Sequence, residues 1–272
     1  MPTTNDVAGI RMENTLIRSR FLQREVVIDF YLPPSEEIRG SHPSLLLIND
    51  GQDLPKMPFS RIMEKLYAAN NLHPLLCCGI HASKERRLEY GTQHFPDYKE
   101  RGIKAPLYTS FILEELLPFI ESRYAGFQCK EKAFAGFSLG GLSALDIVWN
   151  RPDIFSKAGV FSGSLWWRSL DQHHPDYDDH RHRIMHRQIR NGRYAPGLQF
   201  FFQCGNLDET KDRNKNGIID SIDDTLDLIK ELEAKGYKSG ADINYLEFPD
   251  GYHDISTWGR AMPEFLKWGW KK

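Results

Sequence analysis

Cysteine is scarce in this 272-residue chain, with four residues, no C-x-x-C pair, and Cys77 and Cys78 adjacent inside an apolar run. That usage excludes a disulfide framework and a zinc ribbon, and leaves the thiols as small buried hydrophobes. Long apolar runs are missing as well. No stretch approaches the roughly 20 residues needed to cross a bilayer, so no membrane partner is expected. The opening Met1-Pro2-Thr3-Thr4-Asn5-Asp6 has neither a basic segment nor an apolar core, so no secretory signal is read and a cytoplasmic location is expected. Nor does one sign of charge dominate: 35 Lys and Arg stand against 37 Asp and Glu, for a net charge of −2. With the basic residues interleaved among acids, there is no field to hold nucleic acid. No repeat, low-complexity tract or composition break divides the chain, so one domain over 1–272 is expected.

What the chain does have is an alternation of strand and helix patterns. Residues 15–20 and 26–32 read as two extended segments closed by Pro33-Pro34, and 44–48 and 74–80 are short, nearly all-apolar runs suited to strands buried on both faces. Helical spacing follows at 59–69 and at 108–124, the latter with a kink expected at Pro118. Later strands are read at 132–137, 158–162, 199–204 and 243–248, and later helices at 142–149, 222–235 and 258–268. Gly236 is a fitting left-handed cap for the second of these. Two polar segments interrupt the order: a long active-side loop at 82–103, and a His-rich insertion at 168–197 with one helix over 179–190, read as a solvated lid or surface helix. The expected fold is α/β: a mostly parallel central sheet with helices on both faces, preceded by antiparallel strands.

Four strand ends carry the residue types that acyl transfer requires. Gly136-Phe137-Ser138-Leu139-Gly140-Gly141 lies where a strand gives way to a helix, and a serine between glycines at such a turn reads as a nucleophile elbow. One G-x-S-x-G alone is not specific in a chain of this length. Its weight comes from Asp208 and His253 at later strand ends, in the chain order of an α/β-hydrolase triad. Ser138 is a weak nucleophile without a base, His253 would take and return its proton, and Asp208 would fix the imidazole tautomer, with Glu209 as the alternative acid. An ordinary loop histidine and turn aspartate are the competing readings of the two partners. The oxyanion would be met by the backbone N–H of Leu139 and, from the loop Asn49-Asp50-Gly51-Gln52-Asp53, by that of Gln52.

At Asn49-Asp50-Gly51-Gln52-Asp53, Gly136 to Gly141, Gly205-Asn206-Leu207-Asp208 and Gly251-Tyr252-His253-Asp254 with Trp258, the chain resembles the esterase family that includes esterase D, enterochelin and ferric-siderophore esterases, bacterial feruloyl esterases and the mycobacterial antigen acyltransferases. The matches span nearly the whole chain. The resemblance implies an α/β-hydrolase fold and hydrolysis of a small-molecule carboxylic ester without a cofactor, with Ser138, Asp208 and His253 as triad and Gln52 as oxyanion donor. Acetyl, feruloyl and siderophore esters are the expected substrates. An acyltransferase using the same triad, and a non-catalytic calcium-dependent binding module on the same scaffold, are the alternatives.

A second signal lies at 212–223. Asp212, Asn214, Asn216, the carbonyl of Ile218, Asp220 and Asp223 fall at positions one, three, five, seven, nine and twelve of a calcium loop, with Gly217 at six. An aspartate at twelve resembles the loop of dockerin modules more than a sensor EF-hand. Bound calcium is expected to be structural, relieving repulsion among the carboxylates and steadying Asp208 nearby; an Asx-rich turn that merely starts the next helix is the competing reading. His173-His174 and the His182/His186 pair lack an H-E-x-x-H context and are not read as zinc ligands. Trp166 and Trp167, leaving a strand end on the active side, are read either as pocket walls or as core. His81, Arg86, Arg87 and Tyr90 are candidates for substrate contact or plain surface.

Overall fold

The structure, a computed structural model, describes residues 9–38, 42–127, 129 and 131–272. The opening hexapeptide read above for targeting lies outside them. The described residues form one sheet of β1 (Arg11–Ser19), β2 (Arg24–Leu32), β3 (Ser44–Asn49), β4 (Leu75–Ile80), β5 (Lys132–Phe137), β6 (Lys157–Phe161), β7 (Gln199–Leu207) and β8 (Ile243–Tyr252). Its spatial order is β1-β2-β4-β3-β5-β6-β7-β8. β2 pairs antiparallel with β1 and β4, and every later pairing is parallel. Strands β3, β4 and β6 are buried at every position, the polar Ser44, Asn49 and Lys157 included, whereas edge strand β1 alternates.

The helices are α1 (Ser35–Ile38), α2 (Phe59–Ala68), α3 (Arg86–Glu89), α4 (Ala105–Phe111), α5 (Leu117–Arg123), α6 (Leu139–Asn150), α7 (Asp179–His182), α8 (Ile184–Asn191), α9 (Asp220–Lys235) and α10 (Ile255–Trp270). On one face of the sheet α2 and α10 bring Phe59, Met63, Met262 and Phe265 against Ile48 and Phe201. On the other, α4, α6, α8 and α9 bring Phe111, Leu145, Ile189 and Leu232 against Phe30, Leu47 and Phe200. Each such side chain taken fully out of water contributes about 2 kcal/mol, so the two cores together hold the sheet rigid beneath its strand ends. Among the described residues no helix is long and apolar enough to cross a membrane.

Several elements differ from the sequence expectation. The helix expected at 108–124 begins earlier, and its irregularity precedes Pro118: α4 passes through a π turn, Ile112–Leu116, into α5. Pro118 has no N–H to give to residue 114 and its ring crowds that carbonyl, and the wider turn accommodates both. The helix expected at 179–190 is broken at Arg183, whose φ of −73° and ψ of 105° are extended. Its guanidinium instead reaches Asp224 and Asp227 on α9, each at 2.9 Å. This corrects the reading of a solvated lid, because Arg183 and His186 are enclosed. The His186 Nε2 lies 2.8 Å from the Asp224 carbonyl oxygen, and burial pushes its imidazole down to about 3, so it stays neutral. The loop at 82–103 contains α3, anchored by buried Glu89, which accepts from the Arg24 guanidinium at 2.8 and 2.7 Å. β8 runs through Pro249-Asp250-Gly251 rather than stopping before them, because the ladder with β7 resumes at Leu207 and Tyr252.

Candidate active site

Ser138 sits between β5 and α6 with φ 54° and ψ −120°, a region that a non-glycine residue occupies only when its surroundings hold it there. Its N–H donates to the Phe161 carbonyl at 2.8 Å, and its own carbonyl accepts from Gly141 and Leu142 in the first turn of α6 at 3.1 and 3.2 Å. The turn demands glycine at 136, where a Cβ would stand 2.4 Å from the Gly140 oxygen. The hydroxyl is thereby raised at a helix N-terminus, half-buried and reachable. The Ser138 Oγ lies 3.3 Å from the Oγ of Ser164, a buried residue just past β6.

The β7–β8 ladder shifts register between Gly205 and Leu207, and there the two backbones touch: a Cβ on Gly205 would lie 2.3 Å from the Gly251 oxygen. This irregularity carries Asp208 and His253 off the two strand ends together. Asp208 Oδ2 accepts from the Gly205 N–H at 3.2 Å, and Oδ1 is buried without a partner, an acceptor left for an imidazole N–H. His253 is solvent-accessible on one side and meets Trp258 edge-on, with ring centroids 5.3 Å apart.

Electrostatics link the two residues. Protein atoms packed on the covered side of the imidazole lower its proton affinity from the ordinary 6.5; Asp208 opposes this, Arg86 reinforces it and Asp254 opposes it more weakly. Burial raises the Asp208 carboxyl, and the Ser162 hydroxyl, the Gly205 N–H and the His253 charge each pull it back. The Asp208–His253 interaction is electrostatic, each residue shifting the other's proton affinity. Glu209, the alternative acid, faces a neighbouring cavity, and its proton affinity is raised by burial and then by Asp220.

Leu139 opens α6, and Gln52 lies in the first turn of a 3-10 segment, Gly51–Lys56, where backbone N–H groups lack intrahelical acceptors. The Gln52 side chain is tied away, its Oε1 accepting from Ala82 N–H at 2.9 Å. Ahead of it, Asp50 holds a left-handed conformation, φ 60° and ψ 42°. Arg86 clamps its carboxylate through two bonds of 2.6 and 2.7 Å and reaches the Phe137 carbonyl at 3.3 Å. Asn49 donates to the Gly140 carbonyl at 2.8 Å, which couples the 49–53 loop to α6.

The other candidate residues separate. Trp166 is partly exposed beneath the Arg101 guanidinium, 4.6 Å from its ring, and walls a cavity of about 400 Å³ shared with Arg168, His173, Lys211 and Glu209. Trp167 is fully enclosed and packs beneath Gly91 and Gly102, which is the core reading. His81 Nε2 meets Asp29 Oδ2 at 2.6 Å, Arg87 is exposed, and Tyr90 is enclosed with its hydroxyl accepting from Asp50 N–H at 3.3 Å. Sequence reasoning missed the Arg86–Asp50 clamp and the serines of Ser162-Gly163-Ser164; two hydroxyls at the end of a small-residue strand were the available signal.

In the 212–223 loop, Asp212 accepts from the N–H groups of Asn216 and Gly217 at 3.1 and 2.9 Å, and Asp223 Oδ2 accepts from the amides of Asn214 and Asn216 at 2.7 and 2.9 Å. These four side chains converge. Asp220 instead turns to Arg213, accepting from its backbone N–H at 2.8 Å and lying 3.2 Å from its guanidinium. Among the described residues no three His, Cys, Asp or Glu side chains gather as a metal-holding group. Calcium would therefore draw on Asn and carbonyl oxygens as well as on Asp212 and Asp223.

A family model described as Putative esterase matches residues 19–268. The chain belongs to that family. A Bacillus subtilis protein, the uncharacterized YbbA, is 27% identical over 148 residues, 51% of this chain and 57% of its own. A siderophore triacetylfusarinine C esterase of Aspergillus fumigatus is 33% identical over 66 residues, 24% of this chain and 23% of its own. The esterase-family chain thus matches little more than half the length of one relative and a quarter of the other. Among solved structures, the Shigella flexneri enterobactin esterase determined with enterobactin superposes with a TM-score of 0.72 at 18% identity, covering 96% of this chain and 59% of that one. A ferulic acid esterase gives 0.68 at 18% identity, covering 96% and 98%. At such identities the likeness is one of fold: the α/β sheet with an antiparallel start is shared.

Proposed function

We propose that this member of the esterase family is a serine carboxylic-ester hydrolase acting through an acyl-enzyme. The observation that carries the reading is the strained Ser138 elbow, taken with a strand-end pair in which Asp208 and His253 each shift the other's proton affinity. His253 takes the Ser138 proton as Oγ bonds to the ester carbon, and the oxyanion is met by the N–H groups of Leu139 and Gln52. Collapse breaks the bond to the alkoxy oxygen, which leaves as the alcohol with the proton from His253. Water then repeats the sequence: His253 takes its proton, hydroxide oxygen adds to the acyl carbon, and Ser138 leaves with that proton, releasing the acid. The cavity beside Trp166, lined also by Glu209 next to Asp208, is the room this reading assigns to one half of the ester. The relatives' names make feruloyl and siderophore esters the first substrates to compare with acetyl esters. Acyl transfer would use the same residues and would show as new esters when alcohols are added.

The test is turnover of p-nitrophenyl acetate by the parent and by Ser138→Ala. Loss of at least about a thousandfold in kcat, with the variant still folded, is expected from removal of a nucleophile. Equal rates would return the chain to the non-catalytic binding reading.

We also propose that the 212–223 loop holds a structural calcium. Support comes from the convergence of Asp212, Asn214, Asn216 and Asp223 and from the carbonyl of Ile218 at the seventh position; Asp220 would have to exchange Arg213 for the cation. No catalytic step passes through it.

A further inference from the structure

Two backbone bonds fasten the turn after β6 to the Ser138 elbow. The Ser138 N–H donates to the Phe161 carbonyl at 2.8 Å, and the Ser164 N–H donates to the Ser138 carbonyl at 3.1 Å. Between them the chain turns through Ser162, at φ 44°, whose own N–H is held by the Gln203 carbonyl at 2.7 Å. Ser164 is thereby fixed beside Ser138, and its Oγ stands 3.3 Å from the Ser138 Oγ. The two hydroxyls differ in their surroundings. Ser138 is half-buried with one side open, whereas Ser164 is 3% exposed, and among the described residues its hydroxyl has no other hydrogen-bond partner.

That difference decides which oxygen donates. A hydroxyl has one proton and two lone pairs. Were Ser138 to give its proton to Ser164, the Ser164 proton would be left buried without an acceptor, at the desolvation cost of an unmet donor. With Ser164 as the donor, its proton is satisfied, and the Ser138 proton is free to point to the open side, where a base can take it. We propose that Ser164 is a catalytic hydroxyl, which donates a hydrogen bond to the Oγ of Ser138 and stabilises the negative charge that this oxygen gains in the reaction. In acylation the Ser138 proton passes to His253, Oγ bonds to the ester carbon, and Ser164 keeps its own proton throughout. In deacylation the same Oγ is the leaving oxygen, and Ser164 donates to it until His253 returns the proton. A hydrogen bond to a charged acceptor is stronger than one to a neutral acceptor, so the contact favours both transition states over the resting hydroxyl.

This inference rests on the reading of Ser138 as nucleophile, so the experiment separates the two. Ser164→Ala removes the donor, and Ser164→Cys replaces it with a poor donor that still fills the site. Steady-state kinetics with p-nitrophenyl acetate, and the rate at which an organophosphonate labels Ser138, are measured for the parent, both variants and Ser138→Ala, with folding checked by near-UV circular dichroism. Loss of a hydrogen bond to a charged acceptor predicts a fall of about tenfold or more in kcat for Ser164→Ala and Ser164→Cys, with KM little changed and a matching fall in the labelling rate. The cysteine leaves no void, so its agreement with alanine assigns the loss to the missing donor rather than to packing. Either variant turning over at the parent rate overturns the role of Ser164 and leaves the triad standing. A faster variant overturns it too, because that is the result of a Ser164 that accepts the Ser138 proton and holds it away from His253. Turnover that survives Ser138→Ala overturns the triad reading itself, and the role of Ser164 with it.

Discussion

At the scale of single residues, the chemistry proposed for Ser138 depends on the protonation of one imidazole. Packing on the covered side of the ring and Arg86 lower the proton affinity of His253 from 6.5, and Asp208 opposes them. The base works only when neutral, so kcat/KM should be full above the imidazole midpoint and fall as pH drops through it, and that midpoint should lie below 6.5. Asp208→Asn removes the largest influence that raises the midpoint, so the His253 titration followed by NMR should move to still lower pH. A midpoint that stays put or rises in the variant would mean that Asp208 is not the acid paired with His253. Ser138, Asp208 and His253 stand out in the sequence as candidates because acyl transfer needs few side-chain types and each of the three follows a strand. Arg86 was not readable as a clamp on Asp50, because an arginine in a polar loop looks like any solvated cation until the fold closes around it.

At the scale of elements, the sheet was legible because buried parallel strands are written as uninterrupted apolar runs, as in β3 and β4. The insertion was less so. Its charges suggested solvent, yet its Arg183, together with Arg213 of the 212–223 loop, is drawn inward by Asp224, whose carboxylate they approach at 2.9 and 2.8 Å. Periodicity cannot show that an arginine will be paid back by a buried aspartate on a distant helix. Asp146 is a second such case: enclosed on α6, it accepts from the Gln93 N–H and the Gln188 amide, each at 2.8 Å, tying the long loop and α8 to the nucleophile helix. Burial pushes its carboxyl up to about 6.

The 212–223 loop belongs to this scale too. If it binds calcium, the ion stabilises only the folded state, and saturating calcium should raise the melting temperature by several degrees, with chelator reversing the shift. Asp223→Ala should abolish the response while leaving the apo melting temperature little changed. Identical melting curves with calcium and with chelator would remove the ion and leave an Asx-rich turn that starts α9.

At the scale of the whole molecule, eight strands deliver four candidate strand ends to one edge, and the irregular β7–β8 ladder makes the last two neighbours. The chain order Ser138, Asp208, His253 is legible in the sequence, but the register shift at Gly205 that carries Asp208 and His253 off the sheet together is written in no motif. The most direct measurement of the central claim is covalent trapping. An organophosphonate bearing a good leaving group is incubated with the intact protein, and the adduct is located by peptide mass spectrometry. One adduct per chain, on the peptide containing Ser138 and absent when Ser138 is alanine, is the predicted result. No adduct at all, or one on a different serine such as Ser164, would contradict the assignment of Ser138 as nucleophile.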